Sequence, residues 1–317
     1  MFNVLPSDKR TEWLGYVQVM LAATLWGAAG TLAKYVMGQA VSPMTLAEVR
    51  VTIAAGILLL VLLFKDRSLL RLKRQNVPYM IVLGIAGFAG VNYTYYYAIS
   101  KTNVATAVLL QYTAPAFIML FAVLFQGEPF VSGRLLALCL AFAGCFLMVG
   151  GYDLTMFETT KAGVVAALLS AGLFAFYSLY AEYGLKSYPV WTMLFYGFAT
   201  AALFWWCLQP PWKIVGAHYP LRTWLFFISL GVFSTLAPFG LYFKGIRRIR
   251  ATRASITGML EPVVAGVGAY LFLDETMFPL QLVGAVLVFG GIFLLQIERQ
   301  PRVIAERAIL PQNFGKK

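Results

Sequence analysis

The sequence predicts an all-α integral membrane protein with ten transmembrane helices arranged as two inverted five-helix repeats. Three observations carry that prediction. The chain is 60% hydrophobic and only 12% charged, with a mean hydropathy of +0.75, whereas soluble domains carry about 25% charged residues. The apolar residues gather in runs of about 20, the length an α-helix needs to cross a hydrocarbon core of about 30 Å. The second half of the chain also repeats residues of the first at a nearly constant offset.

Residues 1–13 are polar and read as an N-terminal segment on the cytoplasmic side. The apolar run that follows exceeds the 7–15 residues of a signal-peptide core, so it is expected to stay as the first span. The expected spans of the first repeat, 14–150, are Leu14–Val36, Met44–Phe64, Pro78–Ile99, Val104–Phe125 and Val131–Val149. Those of the second, 160–297, are Ala162–Tyr183, Val190–Leu208, Thr223–Phe243, Thr252–Leu273 and Leu280–Ile297, with a basic tail over 298–317. Breaks fall at Ser42-Pro43, Gly127-Glu128-Pro129, Tyr188-Pro189 and Pro210-Pro211, residues that favour turns over helices.

Cations set the orientation. With the N-terminus inside, 19 of the 25 Lys and Arg fall in cytoplasmic segments and 5 in outer ones, with Arg50 within a helix. That asymmetry places both termini in the cytoplasm. It also accounts for the net charge of +12 without a nucleic-acid partner. An offset of 147 places Pro115 on Pro262, Glu128 on Glu275, Gly144 on Gly291 and Phe146 on Phe293, while 148 places Gly15 on Gly163, Leu25 on Leu173 and Tyr35 on Tyr183. Five crossings per half invert the second half relative to the first. Inverted repeats are a device of transporters, because two halves that exchange conformations give alternating access.

These motifs resemble the drug/metabolite transporter superfamily, in its EamA-type branch of ten-helix permeases. The resemblance rests on Leu25-Trp26-Gly27, Arg50, Pro115 followed by Glu128, and Leu260-Glu261-Pro262 followed by Glu275. It implies an inverted-repeat fold, cytoplasmic termini and movement of metabolites, often export.

Candidate site residues follow from chemistry at depth. Trp26 lies mid-span; Tyr93, Tyr95, Tyr96 and Tyr97 encircle the third helix, and Tyr177, Tyr180 and Tyr183 form a stripe on the sixth. Trp26, Tyr96, Tyr177 and Tyr180 are expected to wall a cavity for an amphipathic solute, with packing as the alternative role. Asn92 and Gln111 hydrogen-bond either a solute or a neighbouring helix. Arg50 is a structural or coupling charge that snorkels or holds a carbonyl. Glu261 lies nine residues from the expected helix start at Thr252, about 13.5 Å deep. A carboxylate there must be paired, protonated or facing a wet cavity, with Arg50 as a partner if their helices adjoin, or else it caps backbone groups freed by Pro262.

The single histidine, His218, and the cysteines Cys139, Cys145 and Cys207 offer no metal or disulfide spacing. There is no phosphate-binding glycine loop and no catalytic constellation, so no enzyme and no cofactor are expected. The expected function is secondary transport, outward, of small organic metabolites such as amino acids or related amphipathic solutes. Efflux of drugs or cationic compounds, and a non-transporting receptor or scaffold, are the alternatives. The partners are a small-molecule substrate and the lipid bilayer; a coupling proton and the oligomeric state are left open. The expected location is the plasma membrane, or the inner membrane of a Gram-negative source.

Overall fold

The computed structural model of the chain describes residues 9–37, 41–152, 160–272 and 276–297. Glu275 and the segment 298–317 fall outside them. The described residues form helices and connecting turns without a strand: α1 (Lys9–Met37), α2 (Pro43–Lys65), α3 (Arg74–Lys101), α4 (Val104–Phe125), α5 (Ser132–Met148), α6 (Lys161–Gly184), α7 (Val190–Leu208), α8 (Leu221–Gly258), α9 (Glu261–Phe272) and α10 (Pro279–Ile297). Seven helices among the described residues are long and apolar enough to cross a membrane: α2, α3, α4, α6, α7, α8 and α10. By that measure the count of ten crossings is not reached; α5 is apolar but spans only 17 residues.

The helix termini show why they stop where they do. Ser42 caps α2, its hydroxyl accepting from Thr45 N, and Pro43 follows at the first turn, where no N–H is needed. Asn103 and Thr160 cap α4 and α6 in the same way.

Two further breaks occupy equivalent places in the halves. α4 is interrupted after Gln111 and resumes at Ala114, just before Pro115. The helical ladder of α8 stops at Gly258 and α9 begins at Glu261, just before Pro262. Each proline lacks the N–H that would extend the ladder backwards, and its ring crowds the preceding turn. The expected continuous helix Thr252–Leu273 is therefore divided: its first part is joined to α8 across a kink at Arg250, and its second part is α9.

The repeat is also visible in the packing. α3 opens into a π-helical stretch over Leu83–Gly90, and α8 does so over Leu230–Leu236, which begins 147 residues later. A Cβ on Gly84 would overlap the Thr200 hydroxyl and stand 2.6 Å from Gly197 O; one on Gly231 would stand 2.6 Å from Ile53 Cγ2 and 3.6 Å from Arg50 O. Gly197 and Thr200 are the repeat counterparts of Arg50 and Ile53, so α3 on α7 and α8 on α2 are the same joint made twice. Gly15 against Arg248 and Ile249, and Gly163 against Lys101 and Thr102, repeat the relation for α1–α8 and α6–α3. Contacts that map onto each other when the halves are exchanged define a pseudo-two-fold.

Small residues make these approaches possible. Gly163, Ala167, Ala171 and Ala175 are all buried, and at Gly163 the backbone meets Lys101 and Thr102 of α3 directly, the close packing that drives helix association in lipid. The three cysteines are free.

Candidate functional site

The ends of the bundle differ in charge. One carries Arg67, Arg71, Lys73, Arg74, Lys186 and Arg247–Arg253 and is called the basic end; the other, with the loop Lys101–Asn103 and with Lys161, Lys213 and Arg222, carries fewer cations and is called the neutral end. A cavity of about 100 Å³ lies between the halves, several times the ~10–15 Å³ that one water needs by the same kind of measure.

Trp26, Arg50, Asn92, Tyr96, Gln111, Tyr177 and Glu261 all line this cavity. Tyr180 does not. Its ring stacks on Tyr79 at 4.1 Å and on Phe176 at 5.0 Å instead. The lining reaches Ile99 and Val104, beside the neutral-end loop.

Arg50 is held rather than snorkelling. Its Nε donates to Thr235 Oγ1 at 3.0 Å and its Nη2 to Ser234 O at 2.8 Å. The acceptors lie at the π-helical stretch of α8, where the wider turn leaves backbone oxygens open to side chains. The Tyr96 ring covers the guanidinium at 5.4 Å. Across the cavity, Glu261 stands at the first residue of α9, where the unpaired N–H groups of the helix start favour a carboxylate. It faces the Tyr112 hydroxyl, at the break in α4, and the Arg50 guanidinium. A cation and a carboxylate thus share one small cavity built at two helix breaks, the arrangement by which broken helices of transporters bind solutes.

The uncharged polar residues are also anchored. Asn92 Nδ2 donates to Phe88 O at 2.6 Å, and Gln111 Nε2 to Ser170 Oγ at 2.8 Å. Tyr177 keeps its buried hydroxyl without a partner among the described residues.

The structure adds Phe174, Phe239, Tyr95 and Ser234 to the lining. Phe174 and Phe239 are the repeat counterparts of Trp26 and Asn92, so the offset that aligned the halves was sufficient to find them. Trp26 meets Phe239 edge-on at 5.3 Å, and Phe174 meets Tyr177 at 5.0 Å. Below them Phe88, Phe198, Tyr242 and Phe243, all fully buried, fill the space toward the basic end.

Beyond this plug lies a charge network that joins α4, α5, α6 and α8. Glu128 pairs with Arg134 at 2.6 Å and with Arg250 at 2.8 Å. Glu182 accepts from Arg250 Nε at 2.9 Å and from Ala251 N at 2.8 Å, and Arg250 Nη2 reaches Gln126 Oε1 at 3.1 Å. Arg250 holds φ 69°, a left-handed conformation that is costly for a residue with a side chain; two carboxylates on its guanidinium hold it there. At the neutral end the repeat counterparts of Arg134 and Arg250 are the uncharged Gln281 and Asn103. Among the described residues, this ion network therefore lies at the basic end.

The comparisons with known proteins agree with this architecture. Residues 13–150 and 161–297 each match the model of the EamA-like transporter family. The chain is 29% identical to the uncharacterized inner membrane transporter YicL of Salmonella typhimurium, covering 92% of this chain and 98% of that one. It is 25% identical to the threonine/homoserine exporter RhtA of Escherichia coli, over 93% and 96% of the two chains. A crystal structure superposes with a TM-score of 0.72 at 21% identity, covering 91% of this chain and 98% of that chain, and so shares its fold. This chain is a multi-pass membrane protein and belongs to the EamA-like transporter family.

Proposed function

We propose that the protein is a secondary exporter of small organic metabolites, amino acids and related amphipathic solutes among them. It works by alternating access between inverted repeats, with ten crossings and both termini in the cytoplasm. The observation that carries this reading is the cavity itself, where Arg50 and Glu261 face each other across aromatic walls. A zwitterion satisfies both: its carboxylate on Arg50, its ammonium on Glu261, its apolar part against Trp26, Phe174 and Tyr177. The relative that exports threonine and homoserine supports this solute class.

The basic end is cytoplasmic in this reading, because cations are retained inside. The structure then represents the outward-open state, with the aromatic plug and the Glu128–Arg134–Arg250–Glu182 network closing the inner side. Inward opening requires that network to part, and the repeat symmetry supplies the matching closure at the neutral end. The domains of this reading are the repeats 14–150 and 160–297, and the protein performs no chemistry on its solute.

The test is exchange in proteoliposomes, with radiolabelled threonine inside and a panel of unlabelled amino acids, organic cations and organic anions outside. Zwitterions are expected to accelerate efflux of the label. Acceleration by permanently charged cations alone would assign the protein to cationic-compound efflux. No exchange with any solute would leave a receptor or scaffold as the better description.

A further inference from the structure

The cavity does not use Glu48. This residue lies on α2, 1% exposed, and both of its carboxyl oxygens are buried without a hydrogen-bond partner among the described residues. Its neighbours along the helix show where it points. Thr45, one turn earlier, accepts from Gln209 Nε2 of the α7 terminus at 3.0 Å, and Thr52, one turn later, accepts from Trp206 Nε1 at 3.1 Å. Positions 45, 48 and 52 share one helix face, so Glu48 stands in the seam between α2 and α7. The same stretch of α7 carries a second orphan, the buried Trp205 Nε1.

Among the described residues, no opposite charge accounts for a carboxylate in this seam. The charged and titratable groups toward this end of α3, α7 and α8 are engaged or turned elsewhere. Tyr93 packs on Tyr97 and Trp205, Lys101 lies over Tyr97, Arg222 lies over Phe226, and Cys207 is exposed. None acts electrostatically on Glu48. Nor does the joint itself need an acid there, because the repeat counterpart of Glu48 is Phe195. An ionised carboxylate without a partner is far costlier to bury than a neutral acid, so the group fits this seam with a proton on it.

A polar path leads toward it from the neutral end. Ser42, exposed at the neutral end, exchanges a hydrogen bond of 2.9 Å with Thr45 Oγ1, which Gln209 also holds. That chain ends one helical turn from Glu48, about 4.5 Å of rise. On the opposite face of α2, Arg50 is fixed to α8 and lines the cavity. One rigid helix therefore carries an orphan acid on the α7 side and the cavity cation on the other.

We infer that Glu48 is a proton-binding site, loaded in this conformation and exchanging with the neutral face through Ser42, Thr45 and Gln209. Movement of α2 against α7 would couple that proton to Arg50 and its solute; the coupling role rests on the transport reading above, whereas the proton site does not.

Infrared spectroscopy of the purified full-length protein tests the site directly. On transfer from H₂O to D₂O the wild type and Glu261→Gln should both show a protonated-carboxyl C=O band that shifts, and Glu48→Gln should lack it. Thr45→Val, which cuts the hydroxyl path, should slow the deuterium shift by about tenfold, as for one added hop in the barrier. If the glutamine variant is not recovered folded, Glu48→Asp decides instead, since it should move the band without abolishing it. A band unchanged in the Glu48 variants, or no such band in the wild type, overturns the proposal. Because the readout is the proton itself, a failure to find transport of any solute would count against the transport reading and leave the proton site at Glu48 standing.

Discussion

Replacing Glu182 by Gln should release the inner closure without unfolding the protein. Glu182 is 10% exposed at its side chain and holds Arg250, itself 36% exposed, at 2.9 Å, while its second oxygen receives Ala251 N at 2.8 Å. Exposed ion pairs contribute about 0.2–1 kcal/mol, and breaking fully buried ones costs about 3–5 kcal/mol. This pair lies between those limits, and Gln keeps an acceptor for the Ala251 amide, so the loss should be about 1–2 kcal/mol. Charged to the closed state alone, that shifts the equilibrium toward inward opening by about 5–30-fold. Glu128→Gln should act more strongly, by about 3 kcal/mol, because its side chain is 4% exposed and serves two guanidinium groups.

The assay is maleimide labelling of Ser255→Cys in a background without Cys139, Cys145 and Cys207. Ser255 is 3% exposed behind the network, so its labelling rate reports opening from the basic side. The rate should rise with Glu182→Gln and rise further with Glu128→Gln, while Asn92→Cys in the cavity labels more slowly from the neutral side. Unchanged labelling at both positions, in protein of normal thermal stability, would refute the assignment of these residues to a closure.

Other perturbations separate packing from solute recognition. Glu261→Gln should abolish or strongly reduce solute exchange with a melting temperature near wild type, and normal exchange in that variant would remove Glu261 from the site. Tyr177 is 1% exposed among Phe88, Phe174 and Phe239, so Tyr177→Ala should destabilise by about 3–5 kcal/mol and lower the yield of folded protein. Tyr177→Phe removes only the orphan hydroxyl, and its effect should appear in solute affinity rather than in thermal stability. Gly84→Ala should destabilise the α3–α7 joint, whereas Gly56→Ala, with nothing within 4 Å of its added methyl, should be neutral or stabilise by up to about 1 kcal/mol; equal melting temperatures would contradict the close approach at Gly84. Reporter fusions at Arg71 and at Gly151 should report opposite sides of the membrane, and the same side for both would refute the inverted arrangement.

The sequence by itself determined the membrane class, most helical segments within a few residues, the repeat and its offset, and seven of the residues that line the cavity; the expected span Thr252–Leu273 is the exception, divided at Gly258. Each of these is written along the chain: runs of apolar residues set span length, prolines set breaks, and an offset near 147 superposes one half on the other. What it left undecided is which face of each helix meets which neighbour. In a soluble helix a polar stripe marks the outside; here lipid and protein interior are equally apolar, and that signal is erased. Tyr177 and Tyr180 show the consequence. They share a three-residue stripe, yet one is in the cavity and the other stacks on Tyr79. Glu128, Glu182 and Arg250 likewise come together only because α4, α6 and α8 converge at the basic end. Helix spacing alone turns Glu48 and Arg50, two residues apart, to different faces of α2, but only the packing of α7 places Glu48 in a seam without a partner among the described residues.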